Sequence, residues 1–173
     1  IDRRALLTTA ASLASIGLVR TASATAVAEG VRRIYPCLII VGAGTEGLPA
    51  AIFASRRGAR VLLLDAAPFI GGTLHLSSGQ MSAAGTRLQA SLGIVDGADA
   101  HFEDVMRISR GSANAEIVRL AVDQAGPTID WLVDCGFEPL PGHPVWVSAN
   151  EFYSERRYYW GEKAGRSILE VLA

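Results

Sequence analysis

An excess of charge of either sign is missing from this sequence: 16 lysines and arginines face 17 aspartates and glutamates over 173 residues. That argues against a nucleic-acid partner, which calls for a strongly basic face. Cysteine is scarce as well. Cys37 and Cys135 are the only two, and their separation fits no metal-ligand spacing, so no metal site is expected. Cys37 leads into an apolar run and is expected to be a small core residue. Long hydrophobic runs are also lacking, and no stretch reaches the roughly 20 strongly apolar residues of a membrane span. What is present is half hydrophobic, enough for a real core and too much for a disordered chain.

Residues 1–30 have the layout of an export signal. Arg3 and Arg4 precede an uncharged stretch of small and apolar residues from Ala5 to Val19; Arg20 and then Ala22-Ser23-Ala24 follow, a small-x-small cleavage pattern. The arginine pair resembles a twin-arginine signal, although Asp2 and Ala5 depart from its usual neighbours. The expected location is periplasmic or secreted. The alternative is a cytoplasmic protein with an amphipathic N-terminal helix. The sequence starts at Ile1 and its last segment, "GRSILEVLA", is helical in pattern to the end, so a longer gene product is expected.

The most informative stretch is "LIIVGAGTEGLPAAIFASRRGARVLLLD", Leu38 to Asp65. Cys37–Val41 is apolar throughout, as in a parallel strand covered on both faces. Gly42, Gly44 and Gly47 follow as G-x-G-x-x-G. The first lets the chain turn tightly, the second lets backbone approach a pyrophosphate, and the third lets the next helix pack closely on the strand. Pro49 suits the first turn of that helix, Leu48, Ala51, Ile52 and Ser55 line one side of it, and Gly58 ends it. "ARVLLLD" predicts a second buried strand. Asp65 closes it about 20 residues past the glycines, where a carboxylate can accept hydrogen bonds from a ribose. Strand, glycine turn, helix, strand and acid in this order predict an α/β fold with a Rossmann-like βαβ unit that binds a dinucleotide. The motif alone leaves nicotinamide and flavin cofactors open.

The next segment separates them. "APFIGGTLHLSSGQMSAAGT", Ala67 to Thr86, resembles the glycine-rich return of the fumarate reductase and succinate dehydrogenase flavoprotein family. Gly71-Gly72-Thr73 stands where that family has Gly-Gly-Asn. Ser78-Gly79-Gln80-Met81-Ser82-Ala83-Ala84 follows, with Gln80 in place of a second glycine and Ser82 in place of asparagine. The likeness continues to about Glu138 through a helical stretch in which Trp131-Leu132 precede a glycine turn. It implies an N-terminal part of an FAD-binding domain over 31–138. Cofactor contacts would come from Gly42, Ala43, Gly44, Thr45, Glu46 and Gly47, from Asp65 and Ala66, and from Gly71, Gly72, Thr73, Leu74, Ser78, Gly79 and Gln80. Small Ser77, Ser78, Ala83 and Ala84 would leave room for a flat ring system. His75 lies nearer the glycines than the attachment histidine of membrane-bound relatives, so non-covalent FAD is implied.

Further along, "DGADAHFEDVMRISR" and "NAEIVRLAVDQ" predict two amphipathic helices, the second burying Ile117, Leu120 and Ala121. Their acids and arginines are expected on a solvated face. "PTIDWLVDCG" predicts another helix, with Pro127 in its first turn, Ile129, Leu132 and Val133 on one face, Trp131 in the core and Gly136 as its stop. From 139 the chain turns rich in proline, glycine and aromatics, which reads as an irregular excursion; the resemblance implies that it leads toward a capping domain. Its Arg156-Arg157-Tyr158-Tyr159-Trp160 cluster is expected to be a surface loop with solvated guanidiniums, the alternative implied by the resemblance being a path for an anionic or flat substrate, and His143 is expected to be structural.

The resemblance implies hydride transfer at a carbon–carbon bond next to a carbonyl or carboxylate of a small-molecule substrate, with an electron donor or acceptor protein as a possible partner. The family's catalytic residues fall outside the matched stretch, so none is assigned here. The rivals are a nicotinamide-dependent dehydrogenase and a non-catalytic flavin-binding subunit.

Overall fold

The computed structural model describes residues 35–146 and 153–173, and Pro36–Ala173 form one unit. The expectation of an export signal at 1–30 falls outside the described residues.

Strand β1, Leu38–Val41, and strand β2, Val61–Leu64, pair in parallel with Leu38 opposite Val61 and Val41 opposite Leu64. Helix α1, Gly47–Arg56, connects them. It ends where Gly58 takes a φ of 85° and Ala59 N–H returns to the Ala54 carbonyl at 3.1 Å. That left-handed turn after the last helical residues is the closure a glycine permits without a Cβ penalty. The predicted βαβ unit is present at its predicted boundaries to within two residues.

Burial of the strands differs from the expectation. Strand side chains alternate, so paired Ile40 and Leu63 share the face toward α1, where Leu63 and Ile52 pack on the core. On the other face Ile39 is 56%, Val41 83% and Leu64 46% exposed, because no described element covers it. Cys37 is likewise exposed rather than core. Only one face of this sheet is covered.

After a short 3-10 turn at Gly72–His75 comes strand β3, Met81–Ser82, and then α2, Arg87–Ser91. The Thr86 hydroxyl accepts from Gln89 N–H while the Gln89 side chain accepts from Thr86 N–H, a reciprocal cap that fixes the start of α2. Helix α3 spans Ala98–Ile108 and α4 spans Ala115–Asp134. The Asn114 side chain caps α4 by accepting from Glu116 and Ile117 N–H.

The two helices expected over 114–136 are in fact one, with Pro127 inside it. Proline removes one helical hydrogen bond and crowds the residue before it. That residue is Gly126, which has no Cβ to crowd. Gly126 also decides which face turns inward: a Cβ there would sit 2.5 Å from the Ala84 carbonyl oxygen. The buried stripe is therefore Val122, Gly126, Ile129 and Leu132, while Ile117 and Leu120 are 66% and 68% exposed and Val133 is partly exposed. Gly126→Ala is expected to destabilise the fold. Overpacking against backbone costs roughly 1–3 kcal/mol, more than the ~1 kcal/mol of helix propensity that alanine adds. A urea midpoint equal to or above wild type would sink this account of α4.

The excursion re-enters the domain. Strand β4, Tyr158–Tyr159, pairs antiparallel with β3, Met81 opposite Tyr159 and Ser82 opposite Tyr158. Helix α5, Gly165–Leu172, then seats on the 3-10 turn: a Cβ on Gly165 would lie 2.3 Å from the Leu74 carbonyl oxygen. The core gathers Ala43, Leu48, Leu74, Ala83, Ile129, Leu132, Phe137, Tyr159, Ile168 and Leu172. Trp131 packs against its edge, half-buried, and His143 is buried with Nδ1 donating to the Leu140 carbonyl at 2.9 Å, the structural part expected of it.

Candidate functional site: a glycine loop and the segment that crosses it

The site begins where β1 gives way to α1. Gly42 adopts a φ of 104°, and its N–H donates to the Leu64 carbonyl at 2.7 Å, so the turn is tied to the end of β2. Gly47 sits directly on that turn. A Cβ there would fall 1.7 Å from the Gly42 carbonyl oxygen, so only glycine lets the helix start so close to the strand. Gly44 is the opposite case: a Cβ on it would meet nothing within 4 Å. The chain itself does not need glycine at this position. The open side of the loop is where a ligand would need it.

A second pair of glycines arrives from β2. Gly71, at a φ of 113°, donates its N–H to the Ala43 carbonyl at 2.7 Å. Gly72 follows so closely that a Cβ on it would lie 3.2 Å from Gly44 Cα. The predicted glycines of both segments thus converge on one place. Asp65 joins them: one carboxylate oxygen accepts from Ala43 N–H at 2.5 Å and the other from Ala67 N–H at 2.7 Å. Those amides, Ala67 first, hold the Asp65 carboxyl below the usual carboxylate range. In this structure Asp65 fastens the glycine loop; each oxygen keeps a further lone pair for another donor. Ala66 lies between the two ties.

Two hollows flank the loop. A groove of about 390 Å³ is lined by Ile40, Val41, Gly42, Gly44, Thr45, Glu46, Gly47 and Ala50. A larger cavity of about 770 Å³ is lined by Thr45, Thr73, Leu74, Ser78, Gly79 and Gln80 together with Pro49, Phe53, Met81 and Trp131. Thr45 borders both. Helix α1, ten residues long, turns its positive N-terminal end toward this region; Leu48 N–H is taken by the Gly44 carbonyl, Ala50 N–H by the Glu46 carbonyl, and Pro49 has none.

Some predicted small residues are used within the chain instead. A Cβ on Gly79 would come 2.4 Å from the Ala164 backbone, so this glycine admits the start of α5. Ala83 and Ala84 are buried, and the room beside Ala84 is taken by Gly126. Leu74 belongs to the core. His75 Nε2 donates to the Ile70 carbonyl at 2.8 Å, with its ring edge-on to Phe69.

The expectation of solvated charges fails at one cluster. Arg157 is fully buried, its Nε and Nη2 each 2.7 Å from an oxygen of Asp96 and its Nη1 bonded to Asp104. Asp104 also accepts from Ser154 N–H and hydroxyl and from Arg107. Burial alone would raise both carboxyls, but the hydrogen bonds outweigh it and hold Asp96 and Asp104 below the usual range. A sequence signal existed: strand alternation puts Arg157 and Tyr159 on one face and Arg156 and Tyr158 on the other. The clustered aromatics hid it.

Residues 38–172 match the model of a family described as the FAD binding domain. The chain belongs to that family. Its cofactor is FAD, which settles the choice the glycine motif leaves open. A probable fumarate reductase of Shewanella frigidimarina is 35% identical over 99 residues, 57% of this chain and 17% of that protein. Among solved structures, the open conformation of a flavocytochrome c3 fumarate reductase gives a TM-score of 0.65 at 28% identity, covering 78% of this chain and 24% of that one. A 3-ketosteroid-Δ4-(5α)-dehydrogenase from Rhodococcus jostii, in complex with 4-androstene-3,17-dione, gives 0.62 at 25% identity, covering 87% and 38%. This FAD binding domain thus spans between 17% and 38% of the length of these relatives. Among its described residues no helix is long and apolar enough to cross a membrane, and no cluster of metal-ligating side chains occurs.

Proposed function

We propose that this chain supplies the diphosphate-binding half of the FAD site in a flavin-dependent oxidoreductase that transfers a hydride at a carbon–carbon bond beside a carbonyl or carboxylate. The observation that carries the proposal is the pairing of Gly47, closed against Gly42, with Gly44, open to the groove and roofed by Gly72. A loop built only for its own packing needs the first glycine and not the second. In this arrangement the amides of the glycine loop and the positive N-terminal end of α1 bind the diphosphate, Gly44 admits it close to the backbone, and Asp65 holds the loop in shape. Thr73, Ser78 and Gln80 line the cavity beside it. FAD, when bound, supplies the hydride chemistry, and the protein supplies orientation and exclusion of water.

The cofactor is held without a covalent bond. His75 supports this by spending Nε2 on the Ile70 carbonyl. The substrate is a small molecule, an electron-transfer protein is the second partner, and the twin-arginine-like segment at 1–30 takes the protein out of the cytosol. The relatives named above, a fumarate reductase and a ketosteroid dehydrogenase, support the class of bond and leave the substrate open.

The test is reconstitution of the 173-residue chain with FAD. Expected are a yellow protein with flavin absorbance, release of all flavin on acid precipitation, and weaker binding in Asp65→Asn. The substitution removes one charge-assisted acceptor from the Ala43 amide, and about 1–2 kcal/mol of loop order corresponds to roughly a ten-fold weaker Kd. A colourless protein that binds NADH tightly would instead support the nicotinamide reading. Flavin that stays with the precipitated chain would overturn the non-covalent one. Flavin bound by the gene product without turnover on any activated alkene would favour a non-catalytic subunit.

A further inference from the structure

We infer that Arg157 is a positioning residue for the flavin-side segment Ser78–Met81, acting through the short β3–β4 ladder; the inference rests on the FAD proposal above. Three observations carry it. The first is the anchor: the Arg157 guanidinium is fully buried and divided between Asp96, before α3, and Asp104, inside α3. The second is the linkage from that anchor to the site. The Arg157 carbonyl accepts from Ala83 N–H at 2.9 Å, Tyr158 and Tyr159 pair with Ser82 and Met81, and Tyr159 hydrogen-bonds Thr86 at 2.7 Å. The third is adjacency: Gln80 and Met81 line the 770 Å³ cavity together with Thr45 of the glycine loop.

The ladder is only two residues long on each side, and a ladder that short does not hold itself together. On its other side β4 meets Val145, which exchanges both backbone hydrogen bonds with Tyr158 at 3.1 and 3.2 Å, and Leu140, whose N–H donates to the Trp160 carbonyl at 3.0 Å; on its inner face the charge cluster is what fixes it. Gln89 reinforces it, its side-chain N–H group donating to Asp96 at 2.9 Å and to the Arg156 carbonyl at 2.8 Å. Ser154 ties the chain entering β4 to the same Asp104. Loosening Arg157 therefore frees β4, then β3, then the segment that precedes β3 in sequence and borders the cofactor.

Three variants separate positioning from bulk stability. Arg157→Met leaves Asp96 and Asp104 as buried, uncompensated charges. The triple change Asp96→Asn, Asp104→Asn and Arg157→Met removes all three charges together, which commonly restores stability while discarding the ion-pair geometry. Val122→Ala thins the core on α4, far in sequence from the ladder, and serves as a control of lowered stability. Each is measured for its urea midpoint, for its FAD Kd by flavin fluorescence at a temperature where the circular dichroism is native, and for hydrogen exchange at the Ala83 amide. Expected are a Kd at least ten-fold above wild type and a lost Ala83 protection in the triple variant, even with its midpoint recovered. Arg157→Met is expected to match where it folds. Val122→Ala should keep the wild-type Kd and protection.

The inference is overturned if the triple variant binds FAD within two-fold of wild type, or keeps Ala83 protection, or if Val122→Ala loses affinity in step with stability. Should wild type itself take up no FAD, the cofactor proposal fails, and the exchange at Ala83 still decides whether Arg157 holds the ladder.

Discussion

Gly47→Ala is expected to give a protein that neither folds stably nor takes up FAD, while Gly44→Ala, three residues earlier, folds normally and loses only the cofactor. The contrast follows from what each missing Cβ leaves room for. At Gly47 a methyl would lie 1.7 Å from the Gly42 carbonyl oxygen, and both partners are backbone, so neither a rotamer change nor a small shift relieves it. The cost lies at or above the upper end of the roughly 1–3 kcal/mol of ordinary overpacking, on a domain whose total stability is of the order of 5–15 kcal/mol. At Gly44 the methyl meets no atom within 4 Å and the backbone is not left-handed. Alanine there restricts the unfolded chain and stabilises slightly, by about 0.4–1 kcal/mol. In the proposed site it also stands where the diphosphate approaches, so the FAD Kd should rise at least ten-fold, about 1.4 kcal/mol. Thermal midpoints together with flavin absorbance after gel filtration distinguish the two. If Gly44→Ala retains FAD with wild-type affinity, the open side of the loop is not where the diphosphate lies.

Acid should unfold the domain from an unusually high pH. His101 is buried between Ser82, whose hydroxyl lies 3.2 Å from Nε2, and the edge-on ring of Tyr153. Burial, aided by the Arg157 charge and opposed by Asp96 and Asp104, lowers its pKa from 6.5 to about 4. Between those two values the unfolded chain carries a proton on this imidazole that the folded chain refuses. The unfolded state therefore binds more protons, and stability falls as pH drops from about 6.5 toward 4. At 1.36 kcal/mol per unit the whole interval is worth about 3 kcal/mol. Below it Asp96 and Asp104 act in the same direction. Their folded carboxyls are held low, so the stability they contribute is present above the ordinary carboxylate pKa of about 4 and is lost as they protonate. The expected result is a urea midpoint that is level above pH 7 and declines steadily through pH 6 and 5. In His101→Gln the decline between pH 6.5 and 4.5 should flatten, whatever the variant's absolute stability. An identical slope in the variant would assign the acid sensitivity to other groups.

The βαβ unit was legible because its causes are local: an apolar run of strand length, glycines at fixed offsets, a proline in the first helical turn and a glycine at the helix end. The glycine loop of the candidate site was legible for the same reason. Each of its glycines answers a need set within about 30 residues. The buried Arg157 was not, because a guanidinium is driven inward only by partners, and Asp96 and Asp104 lie 61 and 53 positions away in sequence. Nor was the continuity of α4 through Pro127, since Gly126 relieves the crowding and the approach of Ala84 decides which face is buried.

The residues by themselves determined that a strand, a tight glycine turn and a helix follow one another, because short-range sterics and hydrogen bonding allow few other outcomes. Tertiary structure alone decided which charges are buried, which small residues are taken up by packing within the chain, and that the segment after residue 153 returns to pair with β3 beside the larger cavity. Those outcomes depend on distant atoms being brought together, and spacing along the chain does not encode how close they come.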